Sequence, residues 1–268
     1  MFVRMLLIET RKTLKHPALW IGMAALTLLL AFAMLVNHLQ VVNGYQPADG
    51  GLEKDLLFGL AFFNWIGVLV YAVVASVISA FDYPDRSIQL WLTRGLSRPV
   101  FLFARLTAIL FFGLLMVLFT VIAILGLGAL SRSLFFGIVD AYNLNLSALL
   151  PTILRVFWGS LPYLALTVLF AIVSRSPMFA AGGTIVYGSV FELLALNLSS
   201  KFPTLVRYLP VSLSQVLQAY NTALDRAAPP LLDASIMPEP RAVILIVVIF
   251  ILLSITSLVI FSRQDLGG

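Results

Sequence analysis

The chain has 268 residues, of which 61% are hydrophobic and 11% are charged. Soluble domains are about 45–50% apolar and about 25% charged, and a soluble globule of this size has too little interior to hide so much apolar surface. The composition therefore excludes an ordinary soluble domain. It also excludes a disordered chain, because disorder requires low hydrophobicity.

Several kinds of catalytic and metal site are excluded by the residues that the sequence lacks. It has no cysteine, and its only histidines are His16 and His38, so a thiolate or histidine metal site is not expected. It has no GxxxxGK[ST] phosphate loop and no HExxH motif, and no apolar stretch pairs a serine with a histidine or lysine base. We therefore expect no enzyme activity, metal or cofactor in this chain.

Residues 2–16 predict an amphipathic helix that lies in a membrane interface. An apolar stripe adjoins a basic stripe at helical spacing, which suits contact with anionic lipid headgroups. The apolar stripe consists of Val3, Leu6, Leu7, Thr10 and Leu14, and the adjoining side holds Arg4, Ile8, Arg11, Lys12 and Lys15. The alternative is a basic arm that only sets the topology.

Six apolar stretches are long enough for membrane helices, which need about 20 apolar residues. They are residues 17–36, 59–80, 104–130, 152–173, 177–198 and 242–261. The fourth and fifth are joined by the tight charged turn Ser174-Arg175-Ser176-Pro177, so we expect an antiparallel pair. The sequence thus predicts an all-α polytopic membrane protein with one transmembrane domain over residues 1–268.

The basic residues indicate the orientation of these spans. Six spans place both termini on one side, and an excess of Lys and Arg in short loops marks the cytoplasmic side. The side with the termini holds Arg4, Arg11, Lys12, Lys15, Arg86, Arg94, Arg98, Arg105, Arg175 and Arg263. The longer opposite loops hold Lys54, Arg132, Arg155, Lys201, Arg207, Arg226 and Arg241. Both termini are therefore predicted to be cytoplasmic, and because topology accounts for the positive charge, we expect no nucleic-acid partner.

The segment FDYPDRSIQLWLTRGLSRPVFLFARL, residues 81–106, predicts a short helix in a cytoplasmic loop. Asp82 or Asp85 is suited to cap a helix that begins near Pro84, and Gly95 is suited to end it. Ile88, Trp91 and Leu92 then share one apolar face, which is a shape that a soluble partner can grip. The alternative is a solvated loop whose arginines only enforce topology.

This segment resembles the permease subunits of type 2 ABC exporters. In that family an acidic residue ends the second span and is followed by a Gly-Thr-Leu-like step, a leucine-rich short helix, a Pro-x-Ser-Arg turn, and a Lys seven residues after that Arg. These positions hold here Asp82, Arg86-Ser87-Ile88, Leu90-Trp91-Leu92, Gly95-Leu96-Ser97-Arg98 and Arg105. The sequence departs from the pattern where Arg86 replaces glycine, Gly95 replaces proline and aspartate replaces the usual glutamate. The resemblance extends to the basic N-terminal helix, the six-span plan and the closing residues 261–265.

The resemblance implies that residues 82–98 are a coupling helix that docks into a separate ATPase subunit. The residues implied in this contact are Asp82, Asp85, Arg86, Ser87, Trp91, Leu92, Arg94, Arg98 and Arg105. Two ATPase subunits would hold ATP and Mg²⁺, and a second permease copy or homologue would complete the path in a bacterial inner membrane. Membrane lipids are further partners, and an extracytoplasmic accessory protein is compatible with this plan. The implied activity is export, and apolar walls with few charges favour a lipid, a hydrophobic drug or a peptide over a small ion as the substrate.

Two other classes of membrane protein remain open at this stage. The first is a non-transporting subunit that transmits ATP-driven motion to an envelope complex or scaffolds it. The second is an ion-coupled secondary carrier, which would need several buried ionisable groups where the predicted spans offer only Glu192.

The outer segment 199–241 is rich in proline and holds one short predicted helix. Its prolines are Pro203, Pro210, Pro229, Pro230, Pro238 and Pro240. Ser212-Leu213-Ser214-Gln215 resembles a capping box. The apolar face that would follow comprises Leu213, Val216, Leu217, Tyr220 and Leu224. We expect this helix to lie on, or dip into, the outer leaflet, where the family resemblance implies an extracellular gate; a plain ordered lid is the alternative.

Glu192 is the only acid inside a predicted span. A charge near the bilayer centre costs about 2.5–3.5 kcal/mol on insertion scales, so this side chain needs a polar cavity or a partner. It either lines a substrate path, together with Asn64 and Tyr71 of the second span, or pairs with Lys201 or Arg207.

The fifth span also carries small residues at every fourth position: Ser176, Ala180, Thr184 and Gly188. Such a stripe permits close helix contact. It serves either packing within the chain or a dimer seam.

Overall fold

The computed structural model describes residues 2–44, 51–80, 83, 88, 97–137, 146–199, 201–221 and 237–264. Every regular element among them is helical, so the predicted all-α class is confirmed. The α-helices are α1 (Phe2–Lys15), α2 (Pro17–Val42), α3 (Gly51–Phe62), α4 (Val68–Ala80), α5 (Arg98–Phe136), α6 (Leu146–Ser174), α7 (Pro177–Ile185), α8 (Glu192–Asn197), α9 (Pro203–Val206), α10 (Pro210–Ala219) and α11 (Glu239–Arg263). Two π-helical turns, Phe63–Gly67 and Val186–Phe191, join α3 to α4 and α7 to α8.

Among the residues that the structure describes, five helical stretches are long and apolar enough to cross a membrane. They are Pro17–Val42, Arg98–Phe136, Leu149–Ser174, Pro177–Asn197 and Glu239–Arg263. A sixth is obtained if Gly51–Gly67 and Leu69–Ala80, which meet at an angle of 50°, count as one broken span. By length and composition the chain is compatible with a membrane-embedded helical protein.

The helices extend further than hydropathy predicts. The first span continues to Val42, and the third covers 98–136 instead of 104–130. The second begins at Gly51 and contains a π-helical turn, where each backbone hydrogen bond spans one more residue than in an α-helix. Apolar composition therefore locates each helix, but the polar residues at its ends also adopt helical structure.

Helix α6 is the centre of the bundle. It packs against α4, α5, α7, α10 and α11. Of its most apolar stretch, 72% is buried inside the chain, compared with 11% for α11 and 17% for Pro177–Asn197. The peripheral helices therefore expose much of their apolar surface, whereas the apolar surface of α6 is mostly buried inside the chain.

The small-residue stripe of the fifth span packs inside the chain. Ala180 is fully buried against Ala80 and Ala171, and the Thr184 hydroxyl lies 3.1 Å from that of Thr167. The part of the stripe around Ala180 and Thr184 thus serves close contact with α4 and α6.

One end of the bundle, which we call the first end, gathers the ends of three long helices. The Arg98 guanidinium at the start of α5 donates hydrogen bonds to the carbonyls of Phe261, Ser262 and Gln264 at 3.3, 2.6 and 2.9 Å. The Gln264 amide donates to the Ile172 carbonyl near the end of α6 at 2.6 Å. These contacts satisfy carbonyls that a helix leaves without partners at its C-terminus.

The opposite end, which we call the second end, gathers the other ends of the same helices. Arg155 near the start of α6 pairs with Glu239 at the start of α11, at 2.8 and 3.2 Å, and donates to the Asn221 amide oxygen at 3.1 Å. Helices α6 and α11 therefore run parallel to each other, and α5 runs antiparallel to both.

The N-terminal helix lies against α5 through a face that the sequence did not single out. Met5, Glu9 and Thr13 are its buried residues. Val3 and Leu7, from the predicted apolar stripe, are 66% and 65% exposed. The exposed part of the apolar stripe does not pack against the chain, and α1 packs against α5 through a separate, partly polar face.

The predicted tight turn between the fourth and fifth spans is present. Helix α6 ends at Ser174, Arg175 adopts a left-handed backbone conformation with φ of 55°, and α7 begins at Pro177. The Ser176 hydroxyl accepts a hydrogen bond from the Phe179 N–H at 3.5 Å, which caps α7.

The predicted capping box in the outer segment is wrong. Helix α10 begins at Pro210, because proline suits the first helical position, and this places Ser212 inside the helix. The Ser212 hydroxyl instead donates to the Val206 carbonyl at 2.7 Å. The predicted apolar face is buried at Leu213, Val216 and Leu217, and Leu224 lies outside the described residues.

Candidate functional site

A cavity of about 290 Å³ lies between the two π-helical turns, α6, α8 and α10. Polar and apolar side chains share its wall. The polar and aromatic lining residues are Asn64, Trp65, Tyr163, Ser189, Glu192, Ser214, Gln215 and Gln218, and the others are Ile66, Leu69, Gly188, Leu193, Leu196 and Val211. We call it the Glu192 cavity.

Glu192 is buried in this wall, with 1% of its surface exposed. Its carboxylate accepts hydrogen bonds from the Tyr163 hydroxyl at 2.5 Å and from the Val211 N–H at 3.2 Å. The predicted alternative, a pair with Lys201 or Arg207, is wrong, since both side chains are exposed and the recorded partners of the carboxylate are neutral groups.

The position of Val211 explains why a backbone N–H is available there. Pro210 and Val211 form the first turn of α10, and the N–H groups of a first turn have no partner within the helix. The carboxylate therefore satisfies one such donor and lies at the positive end of the helix dipole.

Of the two polar residues predicted to share the substrate path, the structure brings one to Glu192. Asn64 lies in the first π-helical turn and lines the cavity. Tyr71 is fully buried elsewhere, stacked on Phe112 with ring centroids 5.3 Å apart, and it does not line the cavity. Its assignment to the path is therefore corrected: it is a core residue of α4.

Gln215 is a cavity residue whose role sequence reasoning missed. It lies on α10 with 7% of its surface exposed, and its Oε1 atom has no hydrogen-bond partner among the described residues. At helical spacing Gln215 falls on the side of α10 opposite Leu213, Val216 and Leu217, so the apolar pattern gave no signal for it.

A second polar cluster, which we call the Asp55 cluster, was also missed. Asp55 accepts from the Arg132 guanidinium at 2.5 and 3.2 Å and lies 3.0 Å from His38 Nε2. The His38 ring contacts Phe136 edge-on, with centroids 5.6 Å apart. The cluster joins α2, α3 and α5 at the second end.

The Asp55 cluster corrects two predictions. Arg132, which was predicted in an outer loop, belongs to α5, and its partner Asp55 belongs to α3, where it is 2% exposed. Glu192 is consequently not the only buried acid in the stretches that are long enough to cross a membrane.

Arg105, expected at the ATPase contact, lies inside the chain with 3% of its surface exposed. It donates to the Ser79 carbonyl at 2.9 Å, lies 3.7 Å from the Glu9 carboxylate and covers the Phe101 ring at 4.7 Å. Direct contact with a soluble partner is therefore excluded for Arg105 in this conformation. It joins α1, α4 and α5.

The other predicted coupling residues are placed only in part. Arg98 is half-buried at the first end, as described above. Asp82, Asp85, Arg86, Ser87, Trp91, Leu92 and Arg94 lie outside the described residues. Ile88, which shares their predicted helix, is helical and 2% exposed. Nearby, burial raises the pKa of the Tyr83 phenol, and the charge of Arg175 partly offsets that rise.

Within the described part of the chain, no group of three or more His, Asp or Glu side chains is arranged to hold a metal ion. The carboxylates of Glu9, Asp55 and Glu239 are instead used in ion pairs, and that of Glu192 accepts hydrogen bonds from neutral donors. The arrangement offers binding chemistry: a buried carboxylate, an amide oxygen without a partner, and aromatic rings around one cavity.

Comparison with the curated proteins finds no relative that matches this chain. A family model described as a protein of unknown function, DUF2705, matches residues 21–267. That match begins within α2, includes both ends of the bundle and the Glu192 cavity, and covers most of the sequence. The chain therefore belongs to the DUF2705 family.

Proposed function

We propose that this chain is the membrane-spanning permease subunit of an ATP-driven transporter of the ABC type. The observation that carries the proposal is the spacing of Asp82, Ser97-Arg98 and Arg105, which runs along the loop that joins α4 to α5 and into the first turns of α5. The structured ends of this loop lie at the first end, where α1 and the end of α11 also meet. An ATPase bound there would contact several helices at once.

The proposed topology has six spans: α2, the bent pair α3–α4, α5, α6, the continuous stretch from α7 to α8, and α11. Both termini and the 82–98 loop would be cytoplasmic, as in a bacterial inner membrane. Two contacts support this arrangement: Arg98 joins the start of α5 to the end of α11, and Arg155 joins α6 to the start of α11. The exposed apolar side chains of the peripheral helices support a lipid surround.

Helix α1 would lie in the cytoplasmic interface of the membrane. Its exposed Val3 and Leu7 stand beside the exposed Arg4 and Arg11. Such a pairing suits acyl chains on one side and anionic headgroups on the other.

Buried contacts at the first end would transmit motion from an ATPase. Arg105 connects the start of α5 to the last turn of α4 through the Ser79 carbonyl, and to α1 through Glu9. Helix α4 continues through the first π-helical turn to Asn64 at the Glu192 cavity. A displacement of the 82–98 loop would therefore reach the cavity wall through continuous helix.

The remaining parts of the transporter would come from other chains. Two ATPase subunits would hold ATP and Mg²⁺, and a second copy or a homologue of this chain would form the other half of the path. Export is the direction that the family resemblance favours.

The test measures ATP hydrolysis by the complex that purifies together with this chain. We expect vanadate-sensitive hydrolysis with the wild type, and a loss of at least tenfold when Trp91 and Leu92 are both changed to Asp. The matched control is Leu205→Asp, which places a charge on an exposed apolar residue of α9 at the second end. It should leave hydrolysis unchanged.

Two results would contradict the proposal. One is a complex without ATP hydrolysis at any purity. The other is the same loss in Leu205→Asp as in the double variant, since a general effect on membrane insertion would then explain both.

A further inference from the structure

We infer that the Glu192 cavity binds the ammonium head of an amphipathic amine, whose apolar tail extends into the surrounding lipid. The inference rests on the proposed function in naming the class of compound that the transporter would carry. Binding itself is a property of this chain alone.

The first argument is the charge of Glu192. Its carboxylate accepts from the Tyr163 hydroxyl and the Val211 N–H, neither of which carries a positive charge. An ionised carboxylate offers about four acceptor positions. Burying it without a countercharge is costly in an apolar medium, so a bound cation would stabilise it strongly.

The second argument is the supply of further acceptors. Gln215 lines the same cavity, and its buried Oε1 lacks a donor among the described residues. Asn64 adds a side-chain amide to the wall. An ammonium group has three N–H donors and no acceptor, which matches one carboxylate and two amide oxygens.

The third argument is the aromatic wall. Trp65 and Tyr163 both line the cavity. A cation close to such rings gains cation–π attraction, and tryptophan is the strongest partner. An anion in the same place would face the carboxylate and the negative faces of the rings.

The size and the wall of the cavity indicate the shape of the ligand. At about 290 Å³ it matches only the smallest sites for whole drug-sized ligands, which range over about 300–1,000 Å³. Its apolar lining residues include Leu193, which is 46% exposed, and Trp65, which is 57% exposed. A compact polar head therefore fits inside while an alkyl tail leaves along this lipid-facing wall.

The backbone gives independent support for a ligand site. Each π-helical turn that the structure assigns contributes lining residues: Asn64, Trp65 and Ile66 from one, and Gly188 and Ser189 from the other. Such turns are rare and occur often at functional sites. Here they approach the cavity from two separate helices.

The test measures binding to the purified chain alone, in nanodiscs of zwitterionic phosphatidylcholine at pH 7. The probes are dodecylamine, which is an ammonium ion at this pH, and two molecules of the same chain length, dodecanol and dodecanoate. We expect dodecylamine to bind at least tenfold more tightly than dodecanol, and dodecanoate to bind least. Calorimetry gives the affinities, and the ligand-induced shift of the Tm is the second readout.

Variants show which residues are responsible for the preference for the amine over the alcohol. Glu192→Gln should reduce the preference for the amine over the alcohol to less than about twofold. Glu53→Gln, which removes an acid of α3 that does not line the cavity, should keep it. Gln215→Leu preserves the acid and should weaken amine binding several-fold, so the inference remains testable even if Glu192→Gln does not fold.

Equal binding of dodecylamine and dodecanol by the wild type would overturn the inference. So would an unchanged preference in both Glu192→Gln and Gln215→Leu. These measurements need no ATPase, so the two proposals can fail separately. If the complex hydrolyses ATP but the chain shows no preference for the amine, only the inference is contradicted. If the chain binds the amine but no ATPase purifies with it, only the proposed function is contradicted.

Discussion

The Asp55 cluster and the Glu192 cavity place an acid at similar depth inside the chain but satisfy it in opposite ways. Asp55 is 2% exposed and Glu192 is 1% exposed. Asp55 contacts the guanidinium of Arg132 and the ring of His38, whereas Glu192 contacts the Tyr163 phenol and a backbone N–H. Burial alone therefore does not distinguish a structural acid from a candidate binding group.

The distinction lies in what each acid would leave behind if it were removed. Without Asp55, the Arg132 charge would lose its partner in a mostly buried position, which is strongly destabilising. Without the charge of Glu192, only neutral groups would remain, and a glutamine amide can bond to both by accepting from the Val211 N–H and donating to the Tyr163 hydroxyl oxygen. The first acid is needed by the fold, and the second is available to a ligand.

The largest expected effect is that of Asp55→Asn. We expect a loss of about 3 kcal/mol in the free energy of unfolding, at the lower limit for breaking a buried pair, because the Arg132 side chain retains 12% exposure. Unfolding by sodium dodecyl sulfate in mixed micelles measures it. Adding Arg132→Met should recover part of the loss; a loss under about 1 kcal/mol in the single variant would show that the cluster does not join its helices.

A smaller loss is expected for Glu9→Gln. Glu9 is buried against Arg105 on the inner face of α1, and losing this acceptor charge should cost about 2 kcal/mol, as for a buried polar group that loses its partner. Faster proteolysis of α1 should accompany it. Arg4→Gln, a change on an exposed residue of the same helix, is the control and should alter neither property.

The smallest effect on stability is expected for Glu192→Gln. The glutamine oxygen can still accept from the Val211 N–H while its NH2 group donates to the Tyr163 hydroxyl oxygen. No buried cation loses a partner, so the loss should stay below about 1 kcal/mol. The same unfolding assay measures it. A loss as large as that of Asp55→Asn would make Glu192 a structural acid and remove the contrast between the two regions.

The long helices were predictable because each is a local property of one apolar stretch. The tight turn at Ser174-Arg175-Ser176-Pro177 was also predictable, since proline and serine fix a helix start locally. The capping box failed for the same local reason: Ser212 and Pro210 offered two competing starts, and the proline position prevailed.

The polar clusters were not predictable, because their members are distant in sequence. Asp55 and Arg132 are 77 positions apart, and Arg155 and Glu239 are 84. Charge counting placed Arg132 in a loop, since a helix that extends past its apolar stretch gives no hydropathy signal. Asn64 and Glu192 were singled out as polar residues in apolar stretches, but only the fold shows that they share a cavity while Tyr71 does not.

Both proposals require the first and second ends to lie on opposite sides of a membrane. The chain has no native cysteine, so single cysteines can be labelled with a membrane-impermeant maleimide in intact cells. The first-end variants are Ser97→Cys and Ser262→Cys, and the second-end variants are Asn43→Cys and Lys201→Cys, all at exposed positions. We predict labelling from outside only at residues 43 and 201, and labelling of residues 97 and 262 only after the membrane is opened. External labelling of residue 97 or 262 in intact cells would contradict the six-span arrangement.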